Sequence, residues 1–454
     1  MLKAGFYEKE ITPRMGSYIP GYFSERYAED VLDRLYGKAA VINDGENEVA
    51  VLALDALDLN GEIHEAVTKR VFERTGIKPE KVLLCATHTH TGPPMRIQAD
   101  KHLHFRDIKW EDRVYLETLY DYLADCVELA KNRIEDTNVK YALGEENTIS
   151  FVRNFKMKDG TIRTNPGIGN PDIVEAFGEI DPDVSILYFE NEAQKPVGAI
   201  INFACHLDCV GGTKLSGDYA SILSKELKKS YGEDFITVFL TGACGNVNHI
   251  DVHSKDKNIN QKHISMGVKL AEEVKRALVN GEYLSELTVD SKKEKVGLKR
   301  RSFDEETLKE CRETLEMAKG ATRTFNFSNP GDIGTKAISA QAVLEMAKLS
   351  DEEIDVNIQV IRVGDCYIYA LPGEVFNQFG IYIKQNSPSQ KNMVAELSNG
   401  GSHGYIPVKE VWGSELMYEV QPVSCRVDVN GGGYTMSEKA LELAGRLEKS
   451  LKMK

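Results

Sequence analysis

Residues 82–94, VLLCATHTHTGPP, constrain this chain more than any other stretch. Val82-Leu83-Leu84-Cys85 has the pattern of a buried strand. It runs straight into Thr-His-Thr-His, and Gly92-Pro93-Pro94 then end it, because proline cannot continue a ladder. In an extended chain, residues two apart share a side. His88 and His90 are therefore expected on one side, with Thr87 and Thr89 on the other. A pair of imidazoles at the end of a strand either begins a metal site, neutral imidazole being a common zinc ligand, or is a hydrogen-bonded loop histidine beside a solvated one. The rest of the chain has to decide between the two.

Around this stretch, strand and helix patterns alternate. Ala39–Asn43 and Val49–Leu54 are apolar runs about the turn Asn43-Asp44-Gly45, a hairpin signal. Ile63, Val67 and Val71 form a helical stripe that ends at Gly76. Helices are expected over 111–134, 218–232, 262–279 and 437–452, and strands at Val184–Phe189, Val197–Cys205, Phe235–Leu240, 286–300 and 354–371. The fold class is α/β, a layered mixed β-sheet core flanked by helices. The 454 residues are expected to form one large catalytic domain, 1–454, with 303–350 as a helical insertion interrupted around Phe325–Gly331. The Tyr-rich loop 14–36, the loop 95–110 with His102 and His104, and the 303–350 lobe are the expected specificity elements, since long ordered loops tend to be functional.

Composition narrows the class. Hydrophobic content of 42% and charged content of 28% are those of a soluble globular protein. No apolar run approaches the roughly 18 residues of a membrane span, and the N-terminus lacks a signal-peptide core. The eight cysteines are scattered without a Cys-x-x-Cys pair, which suits a reduced, cytoplasmic protein. A net charge of −14 argues against nucleic-acid and anionic-membrane partners. Lys299-Arg300-Arg301 reads as a solvated loop. A small-molecule substrate is expected, and a homo-oligomer is compatible with the sequence.

Four apolar strands end in a polar, ligand-capable group: His88 with His90, His206 in NFACHLD, Glu374 in LPGE, and the region of Tyr405. Two or three histidines plus a carboxylate, with an open position, is the composition of a catalytic zinc site. Each has a plainer reading: His206 as a satisfied strand-end histidine, Glu374 as a first-turn helix carboxylate, and Tyr405 as a poor ligand because its pKa must fall. The small-residue run Thr241-Gly242-Ala243-Cys244-Gly245-Asn246 would let backbone amides approach a ligand. Cys244 reads as a small buried thiol, with a nucleophile as the alternative.

Together, Thr87-His88-Thr89-His90-Thr91-Gly92-Pro93, Asn202-Phe203-Ala204-Cys205-His206, Ser216-Gly217-Asp218-Tyr219, Leu371-Pro372-Gly373-Glu374 and Gly404-Tyr405-Ile406 resemble, in order, the motifs of the neutral/alkaline ceramidase family. The resemblance runs from about Ile11 to about Tyr418. It implies one Zn2+ per chain held by His88, His206, Glu374 and Tyr405, with His90 as an acid/base or oxyanion group. The chain departs from that family where the small-residue loop should carry an essential serine. Gly242 stands there instead, and no C-terminal immunoglobulin-like domain is expected.

The chemistry implied is hydrolysis of an amide, or less readily an ester or lactone, in a small polar substrate by a metal-activated water. Arg153, or backbone amides from Gly242, Cys244 and Asn246, would hold an oxyanion or an anionic group. Asp218 would orient His206 or His88, cap its helix, or both. The alternatives are a metal-dependent phosphoesterase and a non-catalytic sugar- or polyol-binding protein that keeps the metal site.

Overall fold

The computed structural model describes residues 2–22, 24–95, 109–255, 262–320, 331–349, 352–400, 404–414, 416–428 and 432–452. The expected break at Phe325–Pro330, and His102 and His104, lie outside the described residues.

A large mixed sheet forms the frame. Its strand order is Ile236–Thr241, Pro196–Phe203, Asp183–Asn191, Glu135–Glu145, Leu2–Glu10, Tyr36–Asn43, Glu48–Leu54, Val82–Ala86, with Glu282–Tyr283 added beside Glu135–Glu145. The inner pairs are antiparallel, and the Asn43-Asp44-Gly45 turn joins Tyr36–Asn43 to Glu48–Leu54 as a hairpin. The outermost pair at each end is parallel: Glu48–Leu54 with Val82–Ala86, and Pro196–Phe203 with Ile236–Thr241. Parallel neighbours need a crossover. Helix Gly61–Thr75 supplies one and helix Asp218–Tyr231 the other. Asn60 accepts the Ile63 amide at 2.9 Å to start the first helix, and Gly76, at φ +76°, ends it.

Period-two alternation sorts the side chains. Ala39, Val41, Leu52, Leu84, Ile186 and Ile201 face the helices Gly61–Thr75, Trp110–Lys131, Asp218–Tyr231 and Lys262–Leu278. Ala40, Ile42, Val51, Leu83, Leu187 and Ile200 face the other way. There they meet Ile361, Ile368 and Met393 of a second, four-stranded sheet, ordered Val289–Leu298, Ile354–Val363, Cys366–Ala370, Asn392–Ala395. The far face of that sheet packs on helices Asn377–Asn386 and Gly432–Lys452. The molecule is therefore a helix–sheet–sheet–helix stack. The second sheet was expected only as strands in sequence, because a buried run does not say which sheet it joins. Helices Glu305–Met317 and Ile333–Ala347 lie between two strands that pair antiparallel with each other, Val289–Leu298 and Ile354–Val363, so the 303–350 segment leaves and re-enters at one hairpin end.

Two local expectations are corrected. Glu374 is not in the first turn of a helix. It belongs to a short strand, Glu374–Val375, paired in parallel with Tyr405–Ile406, and the helix begins at Asn377. The strand before the histidines stops at Ala86, and His88 is not extended: its φ is +72°.

Among the described residues no helix is long and apolar enough to cross a membrane, and all eight cysteines are free.

Phe189 is fully buried between the sheets and meets Phe6 edge-on, ring centroids 5.1 Å apart. Phe189→Ala should lower the unfolding free energy by about 3–5 kcal/mol, read from urea denaturation. A loss near zero would mean that the two sheets do not share this core.

Candidate metal centre

The two βαβ units sit at opposite ends of the strand order, yet the carboxyl ends of their strands meet. The Thr241 hydroxyl donates to the Thr87 carbonyl at 2.7 Å, and the His90 amide donates to the Leu207 carbonyl at 3.0 Å. Curling of the sheet thus brings the histidines after Val82–Ala86 against the histidine after Pro196–Phe203. In α/β folds, ligands bind at such carboxyl ends.

The ring centroids of His88 and His206 are 4.5 Å apart, those of His88 and His90 4.9 Å, and those of His90 and His206 5.9 Å. One nitrogen from each ring lies within 4.8 Å of the others, the arrangement of a group able to hold a metal ion. Glu374 enters from the second sheet, with Oε2 3.4 Å from Nε2 of both His88 and His206. The Nδ1 of His88 is 2.8 Å from the Leu57 carbonyl, and that of His206 is 2.9 Å from the Cys244 carbonyl. A carbonyl only accepts, so each Nδ1 carries the hydrogen and each Nε2 presents a lone pair to the centre. His88 Nε2, Glu374 Oε2 and both ring nitrogens of His90 are buried without a hydrogen-bond partner. Three nitrogens and a carboxylate converge here, and the unpartnered atoms on His88, His90 and Glu374 fit a divalent cation.

Electrostatics agree with that geometry. Burial opposes charge on His88, but the adjacent Glu374 carboxylate outweighs it and raises the imidazole to about 9. Burial, with Arg153 and His88 nearby, holds His206 well below the usual histidine range. Burial and His88 do the same to His90. Burial would raise Glu374, yet the adjacent imidazoles of His206 and His88 hold it well below the usual carboxylate range.

Tyr405 is the register partner of Glu374, so the short parallel pair delivers both to one place. Burial, with Glu374 close by, keeps its phenol well above the ordinary value. Arg153 lies beside it, the guanidinium carbon 5.3 Å from the Tyr405 ring centroid. Arg153 Nη1 is 3.3 Å from His206 Nε2, Nη2 donates to the Gly245 carbonyl at 2.6 Å, and Nε pairs with Glu419 at 3.0 Å.

Three amides of the loop 241–246 are not free for a ligand. The amides of Gly242, Cys244 and Gly245 already donate to the Phe203 carbonyl, Glu396 and the Val375 carbonyl. The Asn246 side chain is committed to the Asn377 amide and to Gln378. Cys244 lies behind His206, its Sγ 3.4 Å from Nδ1 and 3.0 Å from Glu396 Oε1. Burial pushes the thiol well above its ordinary pKa, which disfavours the thiolate a nucleophile needs. The run is small because of packing. A Cβ on Gly242 would sit 2.9 Å from Ala204 Cα, and one on Gly245 would sit 2.5 Å from the Glu374 carbonyl oxygen. Asp218 orients neither histidine. Its carboxylate accepts the amides of Val210 and Tyr219, fastening the loop after His206 to the helix, while carbonyls fix the imidazoles.

Sequence reasoning missed several neighbours. Asp208 Oδ1 lies 3.7 Å from His90 Nδ1 and accepts the Tyr22 hydroxyl at 2.5 Å. Arg26 stacks 3.8 Å over the Tyr22 ring and donates to the His90 carbonyl at 2.7 Å. Both Tyr22 and Arg26 come from the 14–36 loop that had been marked as functional. The fully buried Glu396 and Glu419 had no signal beyond being charges in otherwise apolar runs.

No protein-family model matches the sequence, and no curated protein matches it. Solved structures do. The neutral ceramidase from Pseudomonas aeruginosa aligns over 99% of this chain and 75% of that chain, with a TM-score of 0.72 and 16% identity. A structure described as ceramidase complexed with C2 aligns with the same coverage, TM-score and identity. The chain therefore has the neutral ceramidase fold, at an identity of 16%.

Proposed function

We propose that this chain is a zinc-dependent hydrolase that cleaves an amide bond, with an ester or lactone as the nearest variants, in a small polar substrate. The observation that carries this reading is the convergence of His88 Nε2, His206 Nε2 and Glu374 Oε2, 3.4 Å apart along each histidine–carboxylate edge. Two of these three atoms have no hydrogen-bond partner of their own. The ceramidase fold supports an acyl substrate. His88, His206 and Glu374 would hold the metal, with Tyr405 as fourth ligand. Bound there, zinc supplies Lewis acidity and a water activated at neutral pH.

The residues of the chain do the rest. Burial holds His90 below the usual histidine range and both its ring nitrogens are unpartnered, so a ring nitrogen is open to take a proton and return it to a leaving amine. Arg153, held by Glu419 and the Gly245 carbonyl, directs Nη1 at His206 Nε2. With that nitrogen committed to a cation, the N–H is available to a developing oxyanion. Tyr22, Arg26 and Asp208 give the His90 side of the site a polar wall, which suits hydroxyl or amino groups on the substrate.

A binding protein that keeps the metal and does not turn over is the second reading. It is favoured by one observation: the amides of Gly242, Cys244 and Gly245 are used internally and are not free for an oxyanion.

Purified parent protein should contain about one zinc per chain, and His206→Ala should lose it while keeping its circular dichroism. Parent protein without stoichiometric metal, or a variant that retains it, would sink the hydrolase reading. With metal present, turnover on a panel of N-acyl and lactone substrates decides between enzyme and binding protein. Gly242→Ser should not restore the serine of the ceramidase pattern. Its Cβ would press on Ala204, so the variant should lose about 1–3 kcal/mol of stability. A variant as stable as the parent would show that the loop has room for a side chain.

A further inference from the structure

Glu396 is a carboxylate with 0% exposure that follows strand Asn392–Ala395 and lies behind the metal centre. It touches none of the centre's lone pairs, but it joins the two segments that carry them. Its Oε2 accepts the Val375 amide at 2.8 Å and the Cys244 amide at 3.1 Å, and its Oε1 accepts the Cys244 thiol at 3.0 Å. Val375 is the residue after Glu374. Cys244 is the residue whose carbonyl fixes His206 Nδ1 at 2.9 Å. The backbone of Glu396 is itself tied to the same loop through its amide and the Thr241 carbonyl, at 3.0 Å. The next residue, Leu397, donates to the Gly373 carbonyl at 3.1 Å.

We infer that Glu396 is a positioning residue: its carboxylate tunes the placement of His206 against Glu374 by tying the Cys244 amide to the Val375 amide. The two segments also touch directly, through the Gly245 amide on the Val375 carbonyl at 2.8 Å and Asn377 on Asn246 and the Ala243 carbonyl. Among the described residues, however, Glu396 alone holds the Cys244 amide, whose carbonyl fixes His206, together with the Val375 amide beside Glu374. Ligands held by such outer contacts typically lose 10–100-fold in metal affinity when the contact goes. The inference rests on the metal-site reading above.

The test is zinc affinity by chelator competition on the full chain, with the visible spectrum of the cobalt-substituted protein as a second readout. Glu396→Ala should bind zinc about 10–100-fold more weakly and shift the cobalt bands. Glu396→Gln keeps an oxygen for both amides and should hold near the parent value in both measurements. A role in folding alone would lower the stability of Glu396→Ala and leave its affinity and cobalt spectrum at parental values; that result overturns the inference. If Glu396→Ala does not fold, Glu396→Asp decides. One methylene shorter, it cannot span both amides and should show the weakened affinity, and parental affinity there overturns the inference. A parent chain that takes up no zinc is a separate result, which overturns the metal-site reading as well.

Discussion

Everything in the candidate site depends on two strand ends meeting across the large sheet. Val82–Ala86 and Ile236–Thr241 are the first and last members of the strand order, and the Thr241 hydroxyl to Thr87 carbonyl bond records their contact. Strand twist curls the sheet, and the second sheet fills the concave side with Ile361, Ile368 and Met393. Without that closure the histidines at 88 and 206 would stand at opposite ends of the sheet. With it, two βαβ crossovers present their carboxyl ends to one point, and the second sheet adds Glu374 from behind.

The site is costly to hold in this form. A buried polar atom left without a hydrogen bond costs about 1–3 kcal/mol, and His88 Nε2, Glu374 Oε2 and both nitrogens of His90 are all in that condition. His88 also sits at φ +72°, where a side chain other than glycine is strained. The surroundings enforce the arrangement: carbonyls of Leu57 and Cys244 hold the rings, and Glu396 and Glu419 hold the loop and Arg153. Local disfavour tolerated by a rigid frame is what a site built for a ligand requires.

The sequence reading succeeded and failed for identifiable reasons. His88 and His90 were expected together on the alternation of an extended strand, and they do meet. The reason differs, because the chain has left the strand at Ala86 and turns through a left-handed residue. The run 241–246 was read as a cradle because it is small, but its smallness serves the close approach of Ala204 and of the Glu374 backbone. Small residues permit close backbone approach without saying whether a ligand or another strand comes close. Asp218 was expected to orient a histidine, cap its helix, or both; it accepts the amides of Val210 and Tyr219 at the helix start, while backbone carbonyls, which leave no trace in residue identity, hold the imidazoles.

By itself the sequence determined the α/β class, the crossover helices, the hairpin and the residues able to ligate, because period, caps and turn chemistry are local properties. It also carried the order of the motifs that resemble ceramidases. Only the tertiary structure decided that the strands divide between two stacked sheets. It alone placed Glu374 on a short strand beside Tyr405, and it alone showed that the amides of Gly242, Cys244 and Gly245 are spent and that Glu396 joins the two halves of the centre. These are contacts between segments well apart in sequence, from 21 residues for Glu396 with Val375 to 152 for Glu396 with Cys244. A buried strand looks the same in sequence whichever sheet accepts it, and a buried carboxylate shows its use only when its partners are in place.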